Sequence, residues 1–313
     1  MPLSRYSLRH VRKAIRDPTL LRYECRRRGI DLNRAIHARL PRRRATDVMA
    51  EDWDLLVILD GCRYDTFAGQ TTLSGTLESR QSVASHSEEF LSETFSGERY
   101  HDTVYVTANP FAPMLPEDTF HATVSLLDAW DGDLQTVHPR EVTAAAIEAA
   151  DRFPEKRLLV HYMQPHYPFI GEFGRTLPHR GHASGAPDDG LSGANVWERL
   201  RDGDEELSVG AVRRAYEENL EVVLPFVAEC RTEITGRSVV TADHGNLIGD
   251  RMWPVPVRGF GHDRGLRSRG LVRVPWLIEE GATRRPIRAD RPVTDEGLDD
   301  DTVRERLKSF GYL

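Results

Sequence analysis

Three unbroken apolar runs punctuate the chain, and each breaks at carboxylates or imidazoles, the residue types that ligate metals. Asp54-Leu55-Leu56-Val57-Ile58-Leu59 ends at Asp60 and Gly61, Arg157-Leu158-Leu159-Val160 ends among His161 and His166, and Ser238-Val239-Val240-Thr241-Ala242 ends at Asp243, His244 and Gly245. Short apolar runs without polar alternation, closed by turn residues, predict strands buried on both faces, as in a parallel sheet. Further strands are predicted over 102–107, ending at Ala108-Asn109-Pro110, and over 271–278.

Between these runs the period changes to that of helices. Helices are predicted to begin at 64–69, over 139–153 with Pro154 closing it, and over 208–234 with Pro225 kinking it. The stretch from Val83 to Leu91 places small hydroxyl residues before Glu88 and Glu89 and an amphipathic run to Phe95, which reads as a helix start with a Ser85-x-x-Glu88 capping box. Residues 74–82 read as a polar connection, 111–138 as irregular, and 171–195 as the longest loop, either a lid carrying His179 and His182 or a mobile excursion. Two helical pieces at 8–15 and 20–40 precede the first strand, and 299–313 reads as a closing helix. Strands alternating with helices at this spacing predict a doubly wound α/β fold, a mostly parallel sheet with helices on both faces.

Composition adds boundaries. The 313 residues, 39% hydrophobic and 29% charged, suffice for a buried core, and the expected organisation is a basic helical N-terminal arm over 1–48 followed by a catalytic domain over 49–313. No window reaches the about 18 apolar residues that span a bilayer, and the arginine-rich start lacks a signal-type apolar segment, so a cytoplasmic location is expected. Three cysteines without pair spacing argue against disulfides and cysteine-based zinc sites.

The net charge of −7 hides an asymmetry, with about +11 on residues 1–45 and about −18 on the remainder. Three readings of the arm follow: docking on the acidic body, peripheral anchoring at an anionic membrane surface, or contact with nucleic acid. Nucleic acid is not expected, because no binding motif or aromatic stacking platform accompanies the basic run. Lysine is confined to Lys13, Lys156 and Lys308. An acidic, lysine-poor chain suits a high-salt cytoplasm of halophilic type, although a GC-rich genome also exchanges lysine for arginine.

Asp60, Asp243 and His244 at strand tips form a candidate hard-cation site that lacks a nucleophilic or substrate ligand. The helix start near Ser85 and Ser87 supplies hydroxyls together with backbone N–H groups suited to an anion. Arg63 and Asp65 near the first tip read either as an ion pair or as a substrate contact.

Taken together, the blocks LLVILDGCRYD, SVASHSEEFL, LLVHYMQPHYPF, VVTADHGNLIGDR, GHDRG and LVRVPWLI, spanning 54 to about 278, resemble the alkaline phosphatase superfamily, in its sulfatase-like hydrolase/transferase branch and of haloarchaeal type. That resemblance implies an alkaline phosphatase-like fold and a metal-dependent hydrolase or transferase acting on phosphate or sulfate esters through a seryl intermediate. A phospho-substituent transferase acting on a glycan or lipid head group, and a non-catalytic binding member, are the alternatives. It further implies Asp60, Ser87, Asp243 and His244 as metal ligands, Ser87 as nucleophile with Ser85 in reserve, and His166 and His262 on substrate oxygens or a second metal. His161 is a further candidate ligand. One divalent ion (Mn, Zn, Mg or Ca) is implied, with room for a second, and a small-molecule, glycan or lipid ester as substrate. Gly61 and the Ser87-Glu88-Glu89-Phe90 segment depart from the formylglycine sulfatase pattern.

Overall fold

The computed structural model describes residues 18–40, 45–178 and 195–293. The expected helices at 8–15 and 299–313, the Arg42–Arg44 cluster and His179 and His182 lie outside them. In chain order the elements are α1 (Pro18–His37), β1 (Leu55–Leu59), α2 (Tyr64–Gln70), β2 (Thr76–Gln81), α3 (Ser87–Phe95), β3 (Tyr100–Thr107), β4 (Phe120–Ser125), β5 (Trp130–Asp131), β6 (Thr136–Val137), α4 (Pro139–Arg152) and β7 (Arg157–Tyr162). They continue as α5 (Val196–Asp202), α6 (Val209–Glu233), β8 (Ser238–Thr241), β9 (Leu247–Arg251), β10 (Arg258–Gly261), α7 (Arg269–Val272) and β11 (Arg273–Glu279).

Among the described residues a seven-stranded sheet runs in the order β2-β11-β8-β1-β7-β3-β4. The five strands from β8 to β4 are parallel, and β11 and β2 continue the sheet through antiparallel pairings. Because side chains alternate along a strand, β1 feeds two cores at once. Leu55, Val57 and Leu59 pack with Val142 and Ala146 of α4 and Leu220, Val223 and Val227 of α6. Leu56 and Ile58 pack on the opposite face with Phe90, Leu91 and Phe95 of α3 and with Trp53. Helices therefore cover both faces, as the apolar runs require, and each fully buried aliphatic side chain of β1 contributes about 1.5–3 kcal/mol.

Two segments read as connections are strands. Residues 76–81 form β2, a polar edge strand whose backbone is paired along its length with β11, and 120–125 form β4, parallel to β3 at the other edge. Strand pairing overrides the weak side-chain pattern at sheet edges. Pro225 lies within α6, which continues unbroken to Glu233.

The described part of the arm docks on the body. Ile30 joins an apolar cluster with Leu266 and Leu271, Asn33 makes reciprocal bonds with the backbone of Val255, and Arg34 Nε donates to the Arg264 carbonyl at 3.0 Å. No helix among the described residues is long and apolar enough to cross a membrane.

Candidate metal centre

Register gathers the candidate residues. Ile58 of β1 lies level with His161 of β7 and with Thr241 of β8, so Asp60, His161 and Asp243 meet where three adjacent parallel strands end. Gly61 takes φ +65°, a conformation that favours glycine, and the turn aims its N–H at Asp243 Oδ1, 2.9 Å away. The same oxygen accepts the His244 N–H at 2.7 Å.

What remains is a set of buried donor atoms facing one another. Asp60 Oδ1, Asp243 Oδ2 and His161 Nε2 are buried without a hydrogen-bond partner, and one ligand atom from each of these residues falls within 4.8 Å of the others. His161 Nε2 stands 3.9 Å from both Asp60 Oδ2 and Asp243 Oδ2, and its Nδ1 bonds the Tyr105 hydroxyl at 2.9 Å, which fixes the ring. Each orphaned buried polar group costs roughly 1–3 kcal/mol. Two carboxylates and an imidazole that share this deficit fit a divalent cation, which would satisfy all three at once.

The electrostatics agree. Burial, and then the charge of Asp243, push the Asp60 carboxyl well above the usual range. Burial acts upward on Asp243 too, but the imidazoles of His244 and His161 and the Gly61 N–H outweigh it and hold that carboxyl down.

Ser87 completes the group. It is the first residue of α3 and fully buried; its Oγ donates to Asp60 Oδ2 at 3.0 Å and lies 3.1 Å from His244 Nε2. His244 Nδ1 sits 2.7 Å from the Gly245 carbonyl, an acceptor, so Nδ1 carries a proton, and Nε2 lies among the ligand atoms, 3.4 Å from Asp243 Oδ2. Asn109, at the end of β3, donates to the same Asp60 oxygen at 3.0 Å.

The expected capping box is rearranged. His86 is the N-cap, its Nδ1 accepting the Glu88 N–H, while Glu89 accepts from the Ser85 N–H and hydroxyl at 3.0 and 3.2 Å. The Ser85 hydroxyl also lies 3.1 Å from the Asp263 carbonyl. Ser85 is thus turned away from the carboxylates and braces the turn that positions Ser87.

His166 and His262 form the outer wall. Their Nε2 atoms are 2.8 Å apart, and because His166 Nδ1 faces the Tyr167 carbonyl at 2.5 Å, the shared proton resides on His262 Nε2. The His262 ring stacks on His244 with centroids 4.7 Å apart and stands 5.2 Å from that of His86. Burial holds His86 down to about 3 and His161 and His166 to about 4, and puts His262 well below its ordinary range. All four are neutral near pH 7. The loop carrying His166 is clamped from α6: Asn219 Nδ2 donates to the carbonyls of Pro165, His166 and Pro168, and its Oδ1 accepts the Ile170 N–H. A cleft lined by Tyr167, Trp197, Arg201 and Arg264 opens onto His86 and His262.

Arg63 is not a substrate contact in this arrangement. Its guanidinium is consumed by Asp65, Asp250 and the Asn246 carbonyl, a network in which only the arginine is fully buried. Cys62 is buried and its thiol is pushed up by burial, as for an inert core residue. Asn109, Tyr105 and Asn219 escaped sequence reasoning. Only Asn109, directly after a strand, carried a positional signal.

No protein-family model matches the chain, and no curated protein matches it in sequence. Solved structures are similar at low identity. One is the C-terminal periplasmic domain of the phosphoethanolamine transferase EptC from Campylobacter jejuni, with 12% identity, 73% of this chain and 78% of that one covered, and a TM-score of 0.45. Another is a 2-O GAG sulfatase, with 12% identity, 76% and 65% covered, and a TM-score of 0.47. A third is a protein in the alkaline phosphatase superfamily from Vibrio parahaemolyticus, with 14% identity, 91% and 75% covered, and a TM-score of 0.40.

Proposed function

We propose that this chain is a metal-dependent hydrolase or transferase of the alkaline phosphatase superfamily that acts on phosphate or sulfate esters through Ser87. The observation that carries the reading is the placement of Ser87 Oγ at the first position of α3, 3.0 Å from Asp60 Oδ2 and 3.1 Å from His244 Nε2. A hydroxyl so placed has a proton acceptor on the strand side and backbone N–H groups of the helix start on the other.

A divalent cation held by Asp60, Asp243, His161 and His244 supplies Lewis-acid polarisation of the ester oxygens and lowers the proton affinity of the serine. The protein's own groups do the rest. As Ser87 Oγ bonds to phosphorus or sulfur, its proton passes along the existing hydrogen bond to Asp60 Oδ2. The bond to the ester oxygen breaks, and that oxygen leaves and takes a proton from water. The α3 N–H groups face the developing charge, beside the hydrogen-bonded His166–His262 pair. Water or an acceptor alcohol then attacks the seryl ester and releases Ser87. Neutral histidines suit this wall, since rings without a net charge do not trap the anionic product.

The test is covalent trapping. After acid quench of a reaction with an aryl phosphate or aryl sulfate, mass spectrometry of peptides should find the phosphoryl or sulfuryl group on Ser87. A competent enzyme with turnover but with the group on another residue, or with no adduct under rapid quench, contradicts the reading.

A further inference from the structure

The segment that follows His262 is gripped from two sides. Residues 262–268 belong to no helix or strand, so their backbone groups look to side chains for partners. One side is the start of α3, the helix that begins at Ser87. Ser85 Oγ donates to the Asp263 carbonyl at 3.1 Å, Glu88 pairs with Arg264 at 3.0 Å, and the Gly265 N–H faces Glu89 Oε2 at 3.5 Å. The other side is α1. Ile30 shares an apolar cluster with Leu266, Arg34 Nε donates to the Arg264 carbonyl at 3.0 Å, and His37 Nδ1 accepts the Arg267 N–H at 2.9 Å.

Helical spacing explains the α1 grip. Ile30, Arg34 and His37 recur at intervals of four and three residues, which puts them on one face of the helix. Asn33 belongs to that face too; it is fully buried and exchanges two bonds with the Val255 backbone. Leu32 points elsewhere and is 51% exposed. The helix therefore has a fixed seat, and the residues that it holds begin one position after His262.

Arg34 is where this seat reaches the site. It lines the cleft that opens onto His86 and His262, and its three nitrogens face three different partners. Nε takes the Arg264 carbonyl, Nη1 takes Asp31 one turn earlier at 3.0 Å, and Nη2 stands 3.7 Å from Asp263 Oδ2. A guanidinium can serve a carbonyl and two carboxylates at once, which an ammonium on a flexible stem does not. The other oxygen of Asp263 takes Arg201 of α5 at 3.2 Å, and Arg201 also donates to the Phe260 carbonyl at 3.2 Å. Asp263 is thus forked between two helices. On the far side of His262, Gly261 turns the backbone at φ +76°. The ring between these two fixed points stacks on His244, whose Nε2 lies 3.1 Å from Ser87 Oγ.

We propose that α1 is part of the framework of the site and that Arg34 is a positioning residue: by holding the Asp263–Arg264 turn it sets where His262 stands in the wall beside Ser87. The catalytic consequence rests on the Ser87 reading; the hold on the turn is read without turnover.

The test compares Arg34→Ala in the full chain with wild type and with Leu32→Ala, a change on an exposed face of the same helix. One readout is steady-state turnover of an aryl phosphate or aryl sulfate, and the other is amide hydrogen exchange followed by mass spectrometry of peptic peptides. In Arg34→Ala, exchange over 262–267 should quicken by about fivefold or more while peptides of β1 and β8 keep their wild-type rates. Its kcat should fall by roughly tenfold with KM within about twofold of wild type. Leu32→Ala should move neither. Wild-type exchange over 262–267 in Arg34→Ala overturns the proposal, and so does faster exchange with kcat unchanged, which would make the contact merely structural. A wild-type chain that cleaves neither ester contradicts the Ser87 reading instead, and the exchange data alone then decide whether Arg34 sets the turn.

Discussion

His161 Nε2 lies 3.9 Å from Asp243 Oδ2, with both side chains fully buried and neither atom hydrogen-bonded. β7 and β8 reach this arrangement from opposite sides of β1, and a divalent cation between them would satisfy both atoms. Replacing His161 with alanine is predicted to weaken divalent-metal affinity by about 100-fold or more, and Tyr105→Phe, which releases the ring's Nδ1, by about 10-fold. Competition with a fluorescent chelator measures both. Unchanged affinity in His161→Ala would assign the histidine to the core instead.

Asn219 is predicted to matter without touching any reacting group. Its amide satisfies four backbone groups of the loop that presents His166, and Asn219→Leu strands them in a buried setting. A loss of about 2–3 kcal/mol in urea unfolding is expected, together with a turnover loss of roughly tenfold or more from misplacement of His166. Full activity at reduced stability would show that the loop position is set elsewhere.

How much of this was legible in the sequence depends on the physics of each element. β1, β7 and β8 announce themselves because a strand buried on both faces must be apolar throughout, and the residues that end them are polar enough to mark the tips. The same rule left His161 open: at the end of an apolar strand a histidine reads equally as a satisfied interior residue, and the register of β7 against β1 shows that it stands level with Ile58, at the strand tip that delivers Asp60. β2 was missed because Thr76-Leu77-Glu78-Ser79-Arg80-Gln81 is a half-exposed edge, where the partner strand's backbone rather than side-chain burial supplies the stability. Ser87 and Ser85 could not be separated from sequence, since which hydroxyl faces the carboxylates depends on His86, not Ser85, being the cap.

The seat of α1 is predicted to be pH-dependent. His37 is buried, and its Nδ1 accepts the Arg267 N–H at 2.9 Å while its Nε2–H donates to the Trp253 carbonyl at 2.8 Å. Only the neutral ring can do both. Burial lowers its pKa, so the native state binds this proton less readily than the unfolded chain. Its contribution is therefore present above the unfolded value of about 6.5 and is lost as pH falls below it, toward the depressed folded value. Urea midpoints at pH 7.5 and 5.5 should show a smaller difference in His37→Gln than in wild type. An identical difference would place the titration elsewhere.

The proposed action of Ser87 beside a cation at Asp60, Asp243, His161 and His244 is tested by one paired measurement. Elemental analysis of wild type, Asp243→Ala and Ser87→Ala is set beside turnover of aryl phosphate, phosphodiester and aryl sulfate. The expected result is a bound divalent ion in wild type that Asp243→Ala loses, and a Ser87→Ala protein that keeps most of the metal while turnover falls by roughly a thousandfold or more. Ser87→Ala turning over at the wild-type rate, or a wild-type chain that binds no metal and cleaves none of the esters, would contradict it.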